Sequence, residues 1–171
     1  MKLFFKYVGE YMRLYPQVRV TKTNEVLIQN YVMKHLGLTN LNHMRDRYEG
    51  QAFFDKTMKN VGGLWSLQKH LKLEPIDLDI INLDNFHPSI KFGKEKININ
   101  VFDFGTLPLI NKKDFNKPTY FIIKKDSLTF LLCGLASKEV IKNYLIETSK
   151  VQSGSDNFMN FVGFKFLEQI K

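Results

Sequence analysis

Eight lysines, Lys91, Lys94, Lys96, Lys112, Lys113, Lys117, Lys124 and Lys125, fall between residues 85 and 125, against three acids, Glu95, Asp103 and Asp114. A lysine ammonium is a compact point charge that suits a phosphate oxygen. If these groups line one cleft, phosphate contacts and a steep salt dependence follow; if they scatter over several faces, they serve solubility alone. The same stretch carries side chains that hydrogen-bond without charge: Ser89, Asn98 and Asn100. A hydroxyl and two amides offer shape and polarity, whereas Mg²⁺ prefers carboxylate oxygens in octahedral geometry.

The element that must position them reads as a β-hairpin over residues 86–101. Ile90 and Phe92 alternate with Lys91 before a turn at Gly93 and Lys94, and Ile97, Ile99 and Val101 alternate with Asn98 and Asn100 on the return. Period-two alternation gives one apolar and one polar face.

Pro88-Ser89, followed after eight residues by Asn98-Ile99-Asn100, resembles the core of the PD-(D/E)XK nuclease superfamily, where Pro-Asp precedes a Gly-containing hairpin and Asp/Glu-x-Lys. The segment Tyr48-Glu49-Gly50-Gln51-Ala52-Phe53-Phe54 is similar to a helix of that superfamily whose glutamate reaches the metal site, and Gln51 would take the glutamate's place. The resemblance spans roughly residues 49–144 and implies an α/β fold of the restriction-endonuclease-like kind, a mixed central sheet flanked by helices. In that family the acids hold Mg²⁺ and the lysine positions or activates the attacking water. Here Ser89, Asn98, Asn100 and Gln51 stand in those places, so the resemblance implies a site without its catalytic charges, no catalytic residue, and no metal or other cofactor. Migrated acids, Asp84 or Glu49, are the route by which an active metal nuclease would survive. Asp103 points to the opposite strand face from Asn98 and Asn100 if alternation holds, and Glu95 sits at the hairpin turn.

The formal net charge is +8, and 21 of the 25 basic residues are lysine. That balance suits an acidic partner, and the scarcity of arginine favours contacts to the backbone over reading of base edges. The expected phosphate contacts are Lys91, Lys94, Lys96, Lys112 and Lys113. The partner expected is nucleic acid, DNA ahead of RNA. The alternative is an assembly in which the fold serves as a protein-docking platform, in a phage or virus on the strength of Lys/Asn/Ile/Phe-rich usage.

With 171 residues and 44% hydrophobic content the chain is expected to form one domain over 1–171, helical to about residue 73 and sheet-containing from about 76. No apolar run approaches the ~20 residues of a membrane helix, and lone Cys133 in an apolar run reads as a buried structural thiol. A reducing compartment follows, the cytoplasm, or a virion if the chain is viral. His35, His43, His70 and His87 show no zinc-ligand spacing.

The remaining elements are read from periodicity. Residues 2–14 form an amphipathic helix with Leu3, Phe4, Val8, Tyr11 and Met12 inward. Thr23 or Asn24 caps a second helix with Val26, Leu27, Tyr31, Val32 and Leu36 as its apolar stripe, ending at Gly37. A third covers 43–60, broken by Gly62-Gly63 before a short helix over 64–73. Residues 76–83 read as an edge or opening strand, 107–117 as a connection, and 119–123 and 128–132 as central strands covered on both faces. Ser137 caps a helix over 138–147; a polar loop over 149–157 and a short strand from 158 complete the chain.

Overall fold

The computed structural model of the chain describes residues 1–38, 48–148 and 157–170. It is mixed α/β. A five-stranded sheet is formed by β1 (Gln17–Arg19), β2 (Ser89–Phe92), β3 (Glu95–Asp103), β5 (Thr119–Lys124) and β6 (Thr129–Ala136), in the spatial order β1-β6-β5-β3-β2. Only the β3–β5 pair is parallel. Helices α1 (Lys22–His35) and α2 (Tyr48–His70) lie on one face. A second sheet of β4 (Leu109–Asn111), β7 (Leu145–Glu147) and β8 (Phe158–Phe161), ordered β4-β8-β7, lies on the other side with the short helix α3 (Lys138–Asn143). Among the described residues no helix is long and apolar enough to cross a membrane.

Two apolar clusters result, one on each face. Tyr120, Ile122, Phe130 and Leu132 pack toward α1 and α2, while their neighbours Phe121, Ile123, Leu131 and Cys133 pack toward the second sheet and the N-terminal turn. The continuous apolar run of these strands follows directly, because both faces of a covered strand are dry. Phe121 and Phe161 stack with ring centroids 4.4 Å apart across the second cluster. Cys133 is buried, and burial pushes its thiol pKa well up, as befits a structural residue.

Several sequence expectations need correction. Gly62 and Gly63 do not break a helix; α2 runs through them to His70. A Cβ at Gly62 would lie 2.7 Å from the Phe130 ring and one at Gly63 2.4 Å from Val101 Cγ2, so the glycines let the helix press onto the sheet. The expected start of this helix, over 43–47, lies outside the described residues.

The first helix is also broken, into a turn at Lys2–Phe4, a π-type turn at Phe5–Gly9 and a 3₁₀ turn at Met12–Leu14, with Leu3 exposed. In α1 the cap is Thr21, whose Oγ1 accepts the Asn24 N–H at 3.1 Å. Its buried residues are Ile28 and Val32, while Val26 and Leu27 face outward.

Residues 76–83 form no strand. Asp77 and Asn82 accept the backbone N–H two residues on and fold the segment into 3₁₀ turns at Leu78–Ile80 and Leu83–Asn85. The connection over 107–117 and the end of the expected 138–147 helix contain β4 and β7, strands of the unforeseen second sheet. The expected polar loop over 149–157 lies almost wholly outside the described residues.

Candidate functional site

The hairpin forms where expected. Phe92 pairs with Glu95 around Gly93 and Lys94, and Gly93 takes φ +63°, the conformation a two-residue turn with leading glycine requires. Ser89 pairs with Asn98 and Lys91 with Lys96, so directly opposed side chains share a face. Alternation along β3 then adds Asn100, giving one polar surface of Ser89, Lys91, Lys96, Asn98 and Asn100. On the other face Ile90, Ile97, Ile99 and Val101 are buried under α2.

Proline sets where this surface opens. The Ile99 N–H bonds to the Pro88 carbonyl at 2.9 Å, and Pro88 has no N–H to return. The β2–β3 ladder stops there, while β3 continues to Asp103 alongside β5. Along the exposed edge of β3 runs a groove made of two adjoining hollows, of about 510 Å³ and 670 Å³, which share His87, Pro88, Ile99, Asn100, Leu109 and Phe158. Asn98 and Asn100 lie in its floor. The Asn100 Nδ2 donates to the Leu109 carbonyl at 2.9 Å and ties β3 to β4, the far wall.

Lysines stand at both ends. Lys96, Lys113 and Lys117 line the first hollow, and Lys56 and Lys59 of α2 line the second. The carboxylates along the same walls are Asp114 and Asp103. Asp114 Oδ1 lies 3.0 Å from Lys117 Nζ, and Asp103 Oδ2 lies 3.5 Å from Lys59 Nζ. Both pairs are solvent-accessible, and such pairs add little stability. Among the described residues Lys56, Lys96 and Lys113 have no ion-pair partner.

Of the residues singled out from the sequence, Asn98, Asn100, Lys96 and Lys113 line the groove, and Ser89 and Lys91 share their sheet face. Lys94 sits at the hairpin tip and Lys112 is exposed outside the lining. Gln51 is not brought in. It lies eight residues before Lys59, about 12 Å along the helix axis, and its Nε2 donates to Asp55 Oδ1 at 2.9 Å. Asp84 is also elsewhere: it is exposed and hydrogen-bonded to the His35 ring at 3.1 Å, and that ring stacks on Phe53. The Glu49 side chain is outside the described residues. Among the described residues no three His, Cys, Asp or Glu side chains gather as a metal cage.

Sequence reasoning missed Lys56, Lys59 and His87 as neighbours of the amides, and it counted Lys117 among the eight candidate lysines but not among the expected phosphate contacts. A signal for the two helical lysines was present. Lys56, Lys59, Asn60 and Gly63 follow one another at helical spacing, so once the glycine is understood as a contact with Val101 the same stripe carries the lysines to the strand edge. Neither family models, curated proteins nor solved structures give a match to this chain.

Proposed function

We propose that the chain is a catalytically silent nuclease-like protein of the PD-(D/E)XK, restriction-endonuclease-like kind, which binds nucleic-acid backbone without sequence specificity along the β3 groove. The observation that carries this reading is the convergence of five lysines on one groove whose floor is made of uncharged amides. Cations at both ends suit a ligand that brings a phosphate at every step, and lysine binds phosphate as a point charge without reading bases. Asn98 and Asn100 supply donors and acceptors for sugar or phosphate oxygens but no carboxylate for a metal. The hairpin register supports the family resemblance at Ser89, Asn98 and Asn100, and the place of Gln51 does not add to it.

The test is binding of labelled DNA, measured by anisotropy between roughly 50 and 200 mM salt, where a protein making several phosphate contacts loses orders of magnitude in affinity. Lys96→Glu with Lys113→Glu is expected to weaken binding by at least about tenfold and to flatten the salt slope. Lys138→Glu, on α3 and outside the groove, is expected to leave both unchanged. The DNA should remain uncut in Mg²⁺. Affinity that is absent or indifferent to salt would leave a protein-docking platform as the better account, and cleavage would overturn the silent site.

A further inference from the structure

A second cavity, of about 400 Å³, lies between the C-terminal end of α2 and the edge strand β1. It shares no lining residue with the β3 groove. Its apolar walls are Val18, Val20, Trp65, Leu73 and Pro75, and its volume is in the range, roughly 300–1,000 Å³, that takes a small organic ligand. The Trp65 Nε1 donates to the Ile76 carbonyl at 3.1 Å, which fixes the indole. Arg19, Lys69 and Lys72 are the charged residues of the lining, Thr21, Asn24 and Ser66 its neutral polar ones, and no carboxylate is among them. The Asp126 carboxyl is held low chiefly by the Leu128 N–H, and Arg19 adds to this as the least of its causes. Lys69 and Lys72 have no ion-pair partner among the described residues.

The backbone at Lys72 is the second observation. Lys72 has φ +58° and is the one non-glycine residue at positive φ among the described residues. It closes α2: the Leu73 N–H bonds to the Gln68 carbonyl at 2.8 Å and the Lys72 N–H to the Lys69 carbonyl at 3.2 Å. The end of α1 repeats this closure at the same lengths, Leu38 to Met33 and Gly37 to Lys34, with Gly37 at φ +68°. Glycine is the residue such a closure favours, because a Cβ is strained there. One chain therefore uses the same motif twice, relaxed at Gly37 and strained at Lys72. Strain held at the rim of a cavity is a pointer to function, and what the lysine adds there over glycine is a cation.

We propose that this cavity binds a small amphiphilic anion, with an apolar or aromatic body against Trp65 and a phosphate, sulfonate or carboxylate head between Lys69 and Lys72. The inference is independent of the groove. Trp65 is the sole tryptophan. It also lines a neighbouring hollow of about 450 Å³ with Tyr31, Lys34, Asp77 and Asp79, so the substitutions at Lys69 and Lys72, which line this cavity and not that one, assign the quenching.

The experiment titrates the full chain with anilinonaphthalene sulfonate and with its neutral twin, N-phenylnaphthylamine, following quenching of Trp65. The sulfonate is expected to saturate and to bind at least about tenfold tighter than the twin, with Lys69→Ala and Lys72→Gly each costing about threefold to tenfold. Lys72→Gly is also expected to raise Tm by about 2–4 °C, since it relieves the backbone while removing the charge. Equal affinity for the two dyes, or affinity unmoved by both substitutions, would overturn the site. A fall in Tm for Lys72→Gly would overturn the strain argument, leaving the lysine as a complement to the helix C terminus.

Discussion

The two faces of β3 differ sharply in burial and polarity, although they alternate residue by residue. Toward α2, Ile97, Ile99 and Val101 are 2%, 6% and 8% exposed and belong to the main apolar cluster. Toward the groove, Lys96 is exposed and Asn98 and Asn100 are half-buried. A strand with period two can thus hold the fold with one set of side chains and turn the other toward a ligand, Asn100 also tying β3 to β4. The largest predicted effect tests that division. Ile99→Ala should cost about 2–5 kcal/mol in urea unfolding through the cavity it leaves. Its neighbour Asn98→Ala should stay within about 0.5 kcal/mol. Similar losses from both would mean that the groove face is structural.

The contact of α2 with this strand gives the next effect. A Cβ at Gly63 would fall 2.4 Å from Val101 Cγ2, and a β-branched valine has little rotamer freedom to withdraw. Alanine gains about 1 kcal/mol in helix propensity over glycine, whereas overpacking costs about 1–3 kcal/mol. Gly63→Ala should therefore lose up to about 2 kcal/mol on chemical denaturation. A gain in stability would show that the helix does not press on the buried face.

The hairpin was legible because its code is local: alternation fixes the faces and Gly93 fixes the turn, whereas the stop at Pro88 is not read from the sequence, and the strand expected from 86 begins at Ser89. The covered strands were legible for the same reason, their unbroken apolarity leaving no wet face. Gly62-Gly63 was misread because a glycine pair carries the same letters whether it ends a helix or admits a neighbouring chain, and only Phe130 and Val101, far away in sequence, decide between them. Of the second sheet only β8 is anticipated, as a short strand from 158; β4 and β7 escape notice because they are three residues long, too short for a period to emerge. Half of the groove therefore escaped too. Lys96 and the amides were visible on one strand, while Lys56, Lys59 and Lys117 reach them only through the fold.

The smallest effect separates both faces from the turn that joins β5 to β6. Asp126 Oδ1 accepts the Leu128 N–H at 3.1 Å and the Thr129 N–H at 2.9 Å. The Leu128 bond is the main influence lowering the Asp126 pKa; slight burial opposes it, and Thr129 and Arg19 add to the lowering. Because the folded value lies below the ordinary carboxylate value of 3.8, this contribution is present above that value and fades as pH falls through the lower, folded one. Asp126→Asn should therefore cost a little stability at neutral pH, with the gap to the unaltered protein closing as pH drops below about 4. The gap for Ile99→Ala should hold constant across the same range, since apolar burial involves no proton. Urea midpoints of both variants measured from neutral to acid pH decide the matter: parallel curves for Asp126→Asn and Ile99→Ala would mean that the turn carboxylate, like the face beneath α2, contributes by packing and not by charge.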